Sequence, residues 1–227
     1  MNAPLRLGIA GLGTVGIGVV KIVRQQAALL SVRTGRDISI SAVSARSRDK
    51  DRGVSMAGYA WEDDPVALAT RDDVDVYVEL MGGTDGPAKA SVEAAIAAGK
   101  HVVTANKAML AIHGQALAEA AEAAEAAGVS LRYEAAVAGG IPVIKALTEG
   151  LAGNEIKRIV GVMNGSCNYI LTRMESAGLS YDEVFAEADA LGYLEADPQL
   201  DVGGIDAAHK LAILSSIAFG TRVDFYG

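Results

Sequence analysis

Six residues near the start of the chain leave little freedom in its fold. Gly11-Leu12-Gly13-Thr14-Val15-Gly16 spells G-x-G-x-x-G directly after a short apolar run, Leu5 to Ala10. Directly behind it, Val15, Val19, Ile22, Val23 and Leu29 recur at helical spacing. In that setting the first glycine permits a tight turn, the second lets a pyrophosphate approach the backbone, and the third lets strand and helix pack closely. The helix N-terminus then offers its N–H groups to a phosphate. A glycine-rich structural turn is the plainer reading of the motif alone. The strand before it and the helix behind it point to a dinucleotide site.

The rhythm continues along the chain. Asp37 to Val43 alternates Ile38, Ile40 and Ala42 as a second strand, and a charged loop from Arg46 to Arg52 follows. Asp64-Pro65 caps and opens a short helix. Val74 to Leu80 reads as a third strand ending in Gly82-Gly83, and Pro87 opens a helix that stops at Gly99. His101 to Thr104 is a fourth strand, Ala108 to Ala127 an Ala/Glu-rich helix ended by Gly128, and Val129 to Tyr133 a fifth strand. Strands alternating with helices predict an α/β fold with a doubly wound parallel sheet of the Rossmann type over residues 1–134.

Beyond that the pattern changes. A helix behind Ile141-Pro142 runs to Leu151, and Ile156 to Met163 reads as a longer, more polar strand. Asn168 to Ser176 and Tyr181 to Leu191 read as helices, and an apolar helix closes the chain. Residues 135–227 are therefore expected to form a second, α+β domain.

The last helix carries the other informative feature. Asp206 and Lys210 are four residues apart and share one helical face, a short distance beyond Glu195 and Asp201. An exposed ion pair is the ordinary fate of such a spacing. Here, however, Ala207-Ala208, Leu211-Ala212-Ile213-Leu214 and Ile217-Ala218-Phe219 make the helix apolar nearly all round, which predicts burial. Charges at the head of a buried helix are costly unless partnered, and that makes them site candidates.

Bulk properties narrow the partners. Of 227 residues, 51% are hydrophobic and 21% charged, enough for a sizeable core. A net charge of −8 with no Lys/Arg stripe argues against nucleic acid. The single cysteine, Cys167, excludes an intrachain disulfide and fits a reducing compartment. Neither a signal-peptide pattern nor an apolar stretch of membrane-spanning length is seen, so a cytoplasmic protein that does not engage a membrane is expected. An NAD-preferring site usually has an acid at the end of the second strand. That strand ends Val43-Ser44-Ala45-Arg46-Ser47-Arg48-Asp49-Lys50, so Arg46, with Arg48 or Lys50, suits a 2′-phosphate, and NADP is favoured with NAD possible. Arg46 could instead stack on the adenine or be solvated.

Taken with Thr104-Ala105-Asn106-Lys107, Tyr133 to Pro142, Asn164 to Leu171 and Gly192 to Lys210, the glycine motif makes the chain resemble the homoserine dehydrogenase family from end to end. Ser166 stands where that family usually has threonine. The resemblance implies interconversion of L-homoserine and aspartate 4-semialdehyde with NAD(P), in the biosynthesis of threonine, methionine and isoleucine. It assigns proton transfer to Lys210 and brings Lys107 to the same pocket, although a lysine after a strand can also be a plain surface residue. Glu195, Asp201 and Asp206 would receive the substrate ammonium and offset the lysines, Asp201 being equally suited to an N-cap. Gly165, Ser166 and Tyr193 would contact substrate, and Gly192 the cofactor, alongside Gly11, Leu12, Gly13, Thr14, Val15, Gly16, Arg46, Lys50 and Lys107. Glu134, Val137, Gly139 and Ile141 match a monovalent cation site, expected to hold sodium, where a Gly-rich hinge is the plainer alternative. The resemblance also makes 135–227 a catalytic and dimerisation domain of a homodimer. Family members run well past Gly227, so that domain is expected to be incomplete.

Two other functions compete. Cys167 could serve as the nucleophile of a semialdehyde dehydrogenase, but a thiolate needs a positive partner, and no histidine is placed for it. Alternatively, the chain is a catalytically inactive fragment that binds the cofactor.

Overall fold

Six short strands, all parallel, build one sheet: β1 (Leu5–Ala10), β2 (Ile38–Ser44), β3 (Ala60–Glu62), β4 (Val76–Glu79), β5 (His101–Thr104) and β6 (Leu131–Arg132). The computed structural model describes residues 3–124, 128–194 and 202–226. The sheet order is β3-β2-β1-β4-β5-β6. The chain winds outward from β1 to β3, then returns to the other side of β1 as β4, so the order reverses between β1 and β4. Crevices outside the carboxyl ends of such a pair are where doubly wound sheets hold ligands. The sheet with its helices forms one unit, Met1–Val143, and Ile144–Gly227 forms a second.

The buried strands read as near-continuous apolar runs because both faces are covered. β1 contributes Leu7 and Ile9, β2 contributes Ile40 and Val43, and β4 contributes Val76 and Val78 to one cluster with Ile17, Val20 and Val23 of helix α1 (Thr14–Gln25). Cover on that side is partial. Val19 and Ile22 with Leu7, Ile38, Val78 and Val103 line an open apolar cleft of about 550 Å³. At the other end of the strands, Asp75 accepts the Arg6 backbone N–H at 2.8 Å and its guanidinium at 2.7 and 3.1 Å. Those bonds from Arg6 hold the Asp75 carboxylate below its usual range and pin the start of β1 against the start of β4.

Three details depart from expectation. The inward face of α1 carries Gly16, Ile17, Val20 and Val23, while Val15 and Ile22 are more than half exposed. Gly16 decides this: the helix can approach β1 only along the side that has no side chain. The helix also breaks at Gln26, and α2 (Ala27–Thr34) leaves at 78° to α1. Strand β3 was not anticipated, because three residues are too few to show a period of two.

Helices α3 (Pro65–Ala69), α4 (Pro87–Ala97) and α5 (Lys107–Ala123) complete the first unit, with a short helical turn, α6 (Glu134–Val137). Asp64 caps α3 as expected, accepting the Val66 N–H at 2.9 Å. From the last residue of the first unit, α7 (Val143–Lys145) runs into a π-helical turn of the second, Ala146–Gly150. Helices α8 (Gly165–Ala177), α9 (Tyr181–Ala190) and α10 (Ile205–Phe219) follow. A small core of Ile170, Val184 and Ala188 joins α8 to α9. Ser180 and Glu183 form a reciprocal capping box at the start of α9.

Two expectations for this unit need correction. Ile156 to Met163 forms no strand: it makes no ladder bonds, and among the described residues this unit offers it no partner strand. Val160 and Val162 are left 78% and 73% exposed. Helix α10 is only partly buried, with Asp206, Ile213 and Leu214 inside and Leu211 and Phe219 outside. Its apolar perimeter exceeds what its own unit covers. No single helix among the described residues is long and apolar enough to cross a membrane.

The glycine turn generates a prediction. A Cβ at Gly16 would lie 1.9 Å from the Gly11 carbonyl oxygen, whereas one at Gly13 would meet nothing within 4 Å. Gly16→Ala is expected to cost about 1–3 kcal/mol of stability, as overpacking does, and Gly13→Ala far less. Urea unfolding of the two variants checks this, and similar midpoints would contradict the packing role.

Candidate active site

Two groups of candidate site side chains stand out, one in each unit. The first surrounds the crevice at the end of β1 and β4. Gly11 adopts a φ of +95°, and a Cβ there would sit 2.4 Å from the Leu80 carbonyl oxygen at the end of β4. Gly13 precedes α1 with its surroundings open, which is what a closely approaching phosphate requires. Leu12 is buried, Thr14 opens the helix, and Val15 is exposed.

The charged loop after β2 lies against this turn, and Arg52 holds it there. Its guanidinium donates to the carbonyls of Leu12 (3.3 Å), Lys50 (2.8 Å) and Ser47, and it lies 5.6 Å from the centre of the Trp61 ring. Arg48 flanks the same ring at 5.9 Å. Arg46 and Lys50 are exposed on this loop. Sequence reasoning noted the loop's charge but not the part played by Arg52. The indole of Trp61 was the available signal, since arginine stacks on aromatic faces.

At the far side of the crevice, Lys107 opens α5, directly after the loop that leaves β5. Asn106 caps the helix, its side-chain oxygen accepting the Met109 N–H at 3.1 Å.

The second group is in the other unit. Asp206 is 3% exposed and accepts the Lys210 ammonium at 2.7 Å. Lys210 also donates to the Met163 carbonyl at 2.8 Å. Asn164 completes the arrangement with both ends of its amide. Its nitrogen donates to Asp206 at 3.0 Å, and its oxygen caps α8 by accepting the Cys167 N–H at 2.7 Å. The i, i+4 pair is thus a largely desolvated one, braced by an amide from another helix, rather than a solvated surface bridge. Asn164 was missed as a site residue. The Asn-Gly-Ser run carried the signal, since asparagine is a favoured N-cap.

Gly165 is the first residue of α8. The Ser166 hydroxyl donates to the Tyr193 carbonyl at 2.6 Å, and the Tyr193 ring meets Tyr169 edge-on at 4.9 Å. Gly192 takes a left-handed φ of +71° just beyond α9. Ser166, Tyr193 and Gly192 therefore share one corner, as Asp206 and Lys210 share another. Glu195 and Asp201 lie outside the described residues. Cys167 sits in the first turn of α8, and the one histidine of this unit, His209, packs on Phe225 at 4.5 Å.

The suggested cation ligands supply oxygen donors, the kind a hard ion takes. Glu134 and Val137 occupy the two ends of α6, and the Ile141 carbonyl accepts the Val143 N–H at 2.8 Å.

Comparison with known proteins agrees across both units. The family model described as "Homoserine dehydrogenase, NAD binding domain" matches residues 11–134, and that described as "Homoserine dehydrogenase" matches residues 142–226. A homoserine dehydrogenase of Neisseria gonorrhoeae is 50% identical over 222 residues, covering 98% of this chain and 50% of its own length. The crystal structure of a homoserine dehydrogenase from Thiobacillus denitrificans superposes with a TM-score of 0.91 at 46% identity, over 98% of this chain and 50% of that one. A hyperthermophilic archaeal homoserine dehydrogenase in complex with NADPH superposes at 0.82 and 28% identity, over 96% of this chain and 71% of that one. The chain spans about half the length of the curated relatives it matches.

Asn164 yields a prediction with a pH signature. Asn164→Asp keeps an oxygen for the cap but sets a second carboxylate beside Asp206. Like charges raise the folded-state pKa of a carboxylate, so the penalty is present at neutral pH and fades as pH falls through the raised pKa. The melting temperature of the variant should therefore fall below that of the parent at pH 7, and the gap should narrow towards pH 4. A gap that is constant with pH would contradict the placement of Asn164.

Proposed function

The chain belongs to the homoserine dehydrogenase family, and from that premise we propose that it carries the cofactor-binding and proton-transfer residues of an NAD(P)-dependent oxidoreductase. The reaction is the interconversion of L-homoserine and aspartate 4-semialdehyde, a step towards threonine, methionine and isoleucine. The observation that carries the reading is Lys210, held by the buried Asp206 at 2.7 Å and the Met163 carbonyl at 2.8 Å.

A bound nicotinamide cofactor supplies or accepts the hydride. The residues that would hold it are Gly11, Gly13 and Gly16 with the α1 N-terminus at the pyrophosphate, and Arg46 with Lys50 at a 2′-phosphate. The exposed Arg46 at the end of β2, where an NAD-preferring site has an acid, supports NADP. Lys107, at the sheet's carboxyl edge, belongs to the same crevice.

When the aldehyde is reduced, its oxygen gains negative charge and needs a proton. An ammonium has three N–H donors; with two on Asp206 and Met163, Lys210 directs the third to that oxygen and gives up its proton. In the reverse direction the neutral amine takes the hydroxyl proton. Asp206 holds the ammonium in one rotamer, and Asn164 holds Asp206. Glu195, Asp201 and Asp206 receive the substrate ammonium, and Gly165, Ser166 and Tyr193 complete the substrate pocket. A sodium ion at Glu134, Val137, Gly139 and Ile141 belongs to the reading on donor chemistry alone, and no step passes through it.

The test is oxidation of NADPH, and in parallel NADH, with aspartate 4-semialdehyde. It is run on this chain and on one extended to the length of its relatives. NADPH is expected to be the better cofactor, and Lys210→Ala should lower turnover by roughly two to four orders of magnitude, the worth of a general acid–base group, with cofactor affinity unchanged. Near-full activity of Lys210→Ala in the longer chain would refute the assignment.

A homodimer is part of the same proposal. The strand-like segment Ile156 to Met163, with Val160 and Val162 exposed, supports it. Light scattering at micromolar concentration should give twice the monomer mass, and a strictly monomeric species would exclude it.

A further inference from the structure

Glu79 plays no part in the reaction described above, yet it is fully buried at the carboxyl end of β4. A carboxylate withdrawn from water needs donors, and Glu79 takes them from two different loops. Its Oε1 accepts the backbone N–H groups of Met81 at 2.7 Å and Gly82 at 3.2 Å. Its Oε2 accepts the Thr104 hydroxyl, from the end of β5, at 2.6 Å.

The bonding continues from there. Thr104 Oγ1 accepts the Asn106 N–H at 3.0 Å, and the Asn106 side chain donates back to the Gly83 carbonyl at 2.7 Å. The same side chain caps α5, whose first residue is Lys107. A closed ring therefore joins the turn after β4 to the loop after β5, with Glu79 at its centre. The polarity is fixed: Thr104 accepts from Asn106, so its one proton must go to an acceptor, which a carboxylate always is.

The location gives this ring its meaning. β4 flanks the point where the sheet order reverses, and in such sheets the pyrophosphate lies at the glycine turn after β1 with the adenosine towards β2. The ends of β4 and β5 therefore face the other half of a bound dinucleotide. We propose that Glu79 is a positioning residue for the nicotinamide half of the cofactor, acting through the Met81–Gly83 turn and the Thr104–Lys107 loop. This rests on the dinucleotide reading of the crevice.

Two probes separate the halves of the cofactor: NADPH, and 2′-phospho-ADP-ribose, which has the adenosine and pyrophosphate but no nicotinamide. Glu79→Gln keeps Oε1 as an acceptor but replaces Oε2 with a donor that faces an already accepting hydroxyl. Thr104→Val removes that hydroxyl, and Thr104→Ser retains it. In calorimetric titrations, Glu79→Gln and Thr104→Val should each weaken NADPH about ten-fold while leaving 2′-phospho-ADP-ribose within about two-fold of the parent. Thr104→Ser should bind both as the parent does. Equal weakening of both probes would reduce Glu79 to a general stabiliser, and undiminished NADPH affinity in Glu79→Gln and Thr104→Val would remove any role; either overturns the proposal and leaves the cofactor reading intact. A parent chain that binds neither probe would overturn the cofactor reading, and this proposal with it.

Discussion

At the centre of the sheet, backbone approaches backbone more closely than any side chain would permit. The Gly11 position faces the Leu80 carbonyl, and the Gly16 position faces the Gly11 carbonyl. These two contacts set where α1 starts, which side of it turns inward and how near β4 can come to β1. The consequences spread outward. With Gly16 inside, Ile17, Val20 and Val23 become the core face, and the helix N-terminus is aimed at the crevice where a phosphate would lie. A single methyl group at either place would push apart the elements that define the crevice.

Among the described residues, the buried carboxylates Glu79 and Asp206 are held in different ways. Glu79 is held by neutral donors alone: two backbone N–H groups and a hydroxyl. Such a ring organises loops, and no proton carrier sits within it. Asp206 is held by an amide nitrogen and by an ammonium. A desolvated carboxylate beside a lysine keeps that lysine in one place. On the proposed reading, one carboxylate shapes a site and the other steadies a reactive group.

How far the sequence could be read depended on the range of the forces involved. The glycine motif, the strand–helix alternation and the Asp206–Lys210 spacing are local patterns, and the elements they predict are present. Features decided by distant partners were less legible. Asn164 could be read as a cap from its neighbours, but its bond to Asp206 spans forty-two positions. Glu79 read only as a charge within the third strand, and its bond to Thr104, twenty-five residues on, helps to show why a charge is tolerated there. Ile156 to Met163 has the mixed polar and apolar make-up of a strand, yet such a make-up names no partner. Without a neighbouring strand the ladder does not form.

The loop after β2 shows how similar side chains are given different tasks by geometry. It carries Arg46, Arg48, Lys50 and Arg52 within seven residues, and composition alone cannot rank them. Arg52 reaches four backbone carbonyls, including that of Leu12 inside the glycine turn, and lies against Trp61. Arg48 shares that ring. A guanidinium suits such a post because its planar donors can bridge several carbonyls while its face rests on an indole, which an ammonium cannot do. Arg52 therefore fixes the loop against the glycine turn, and Arg46 and Lys50 project from a surface that it has already set in place. On the proposed NADP reading, a change at Arg52 would act on cofactor choice only through the loop, whereas a change at Arg46 would act on the 2′-phosphate contact itself.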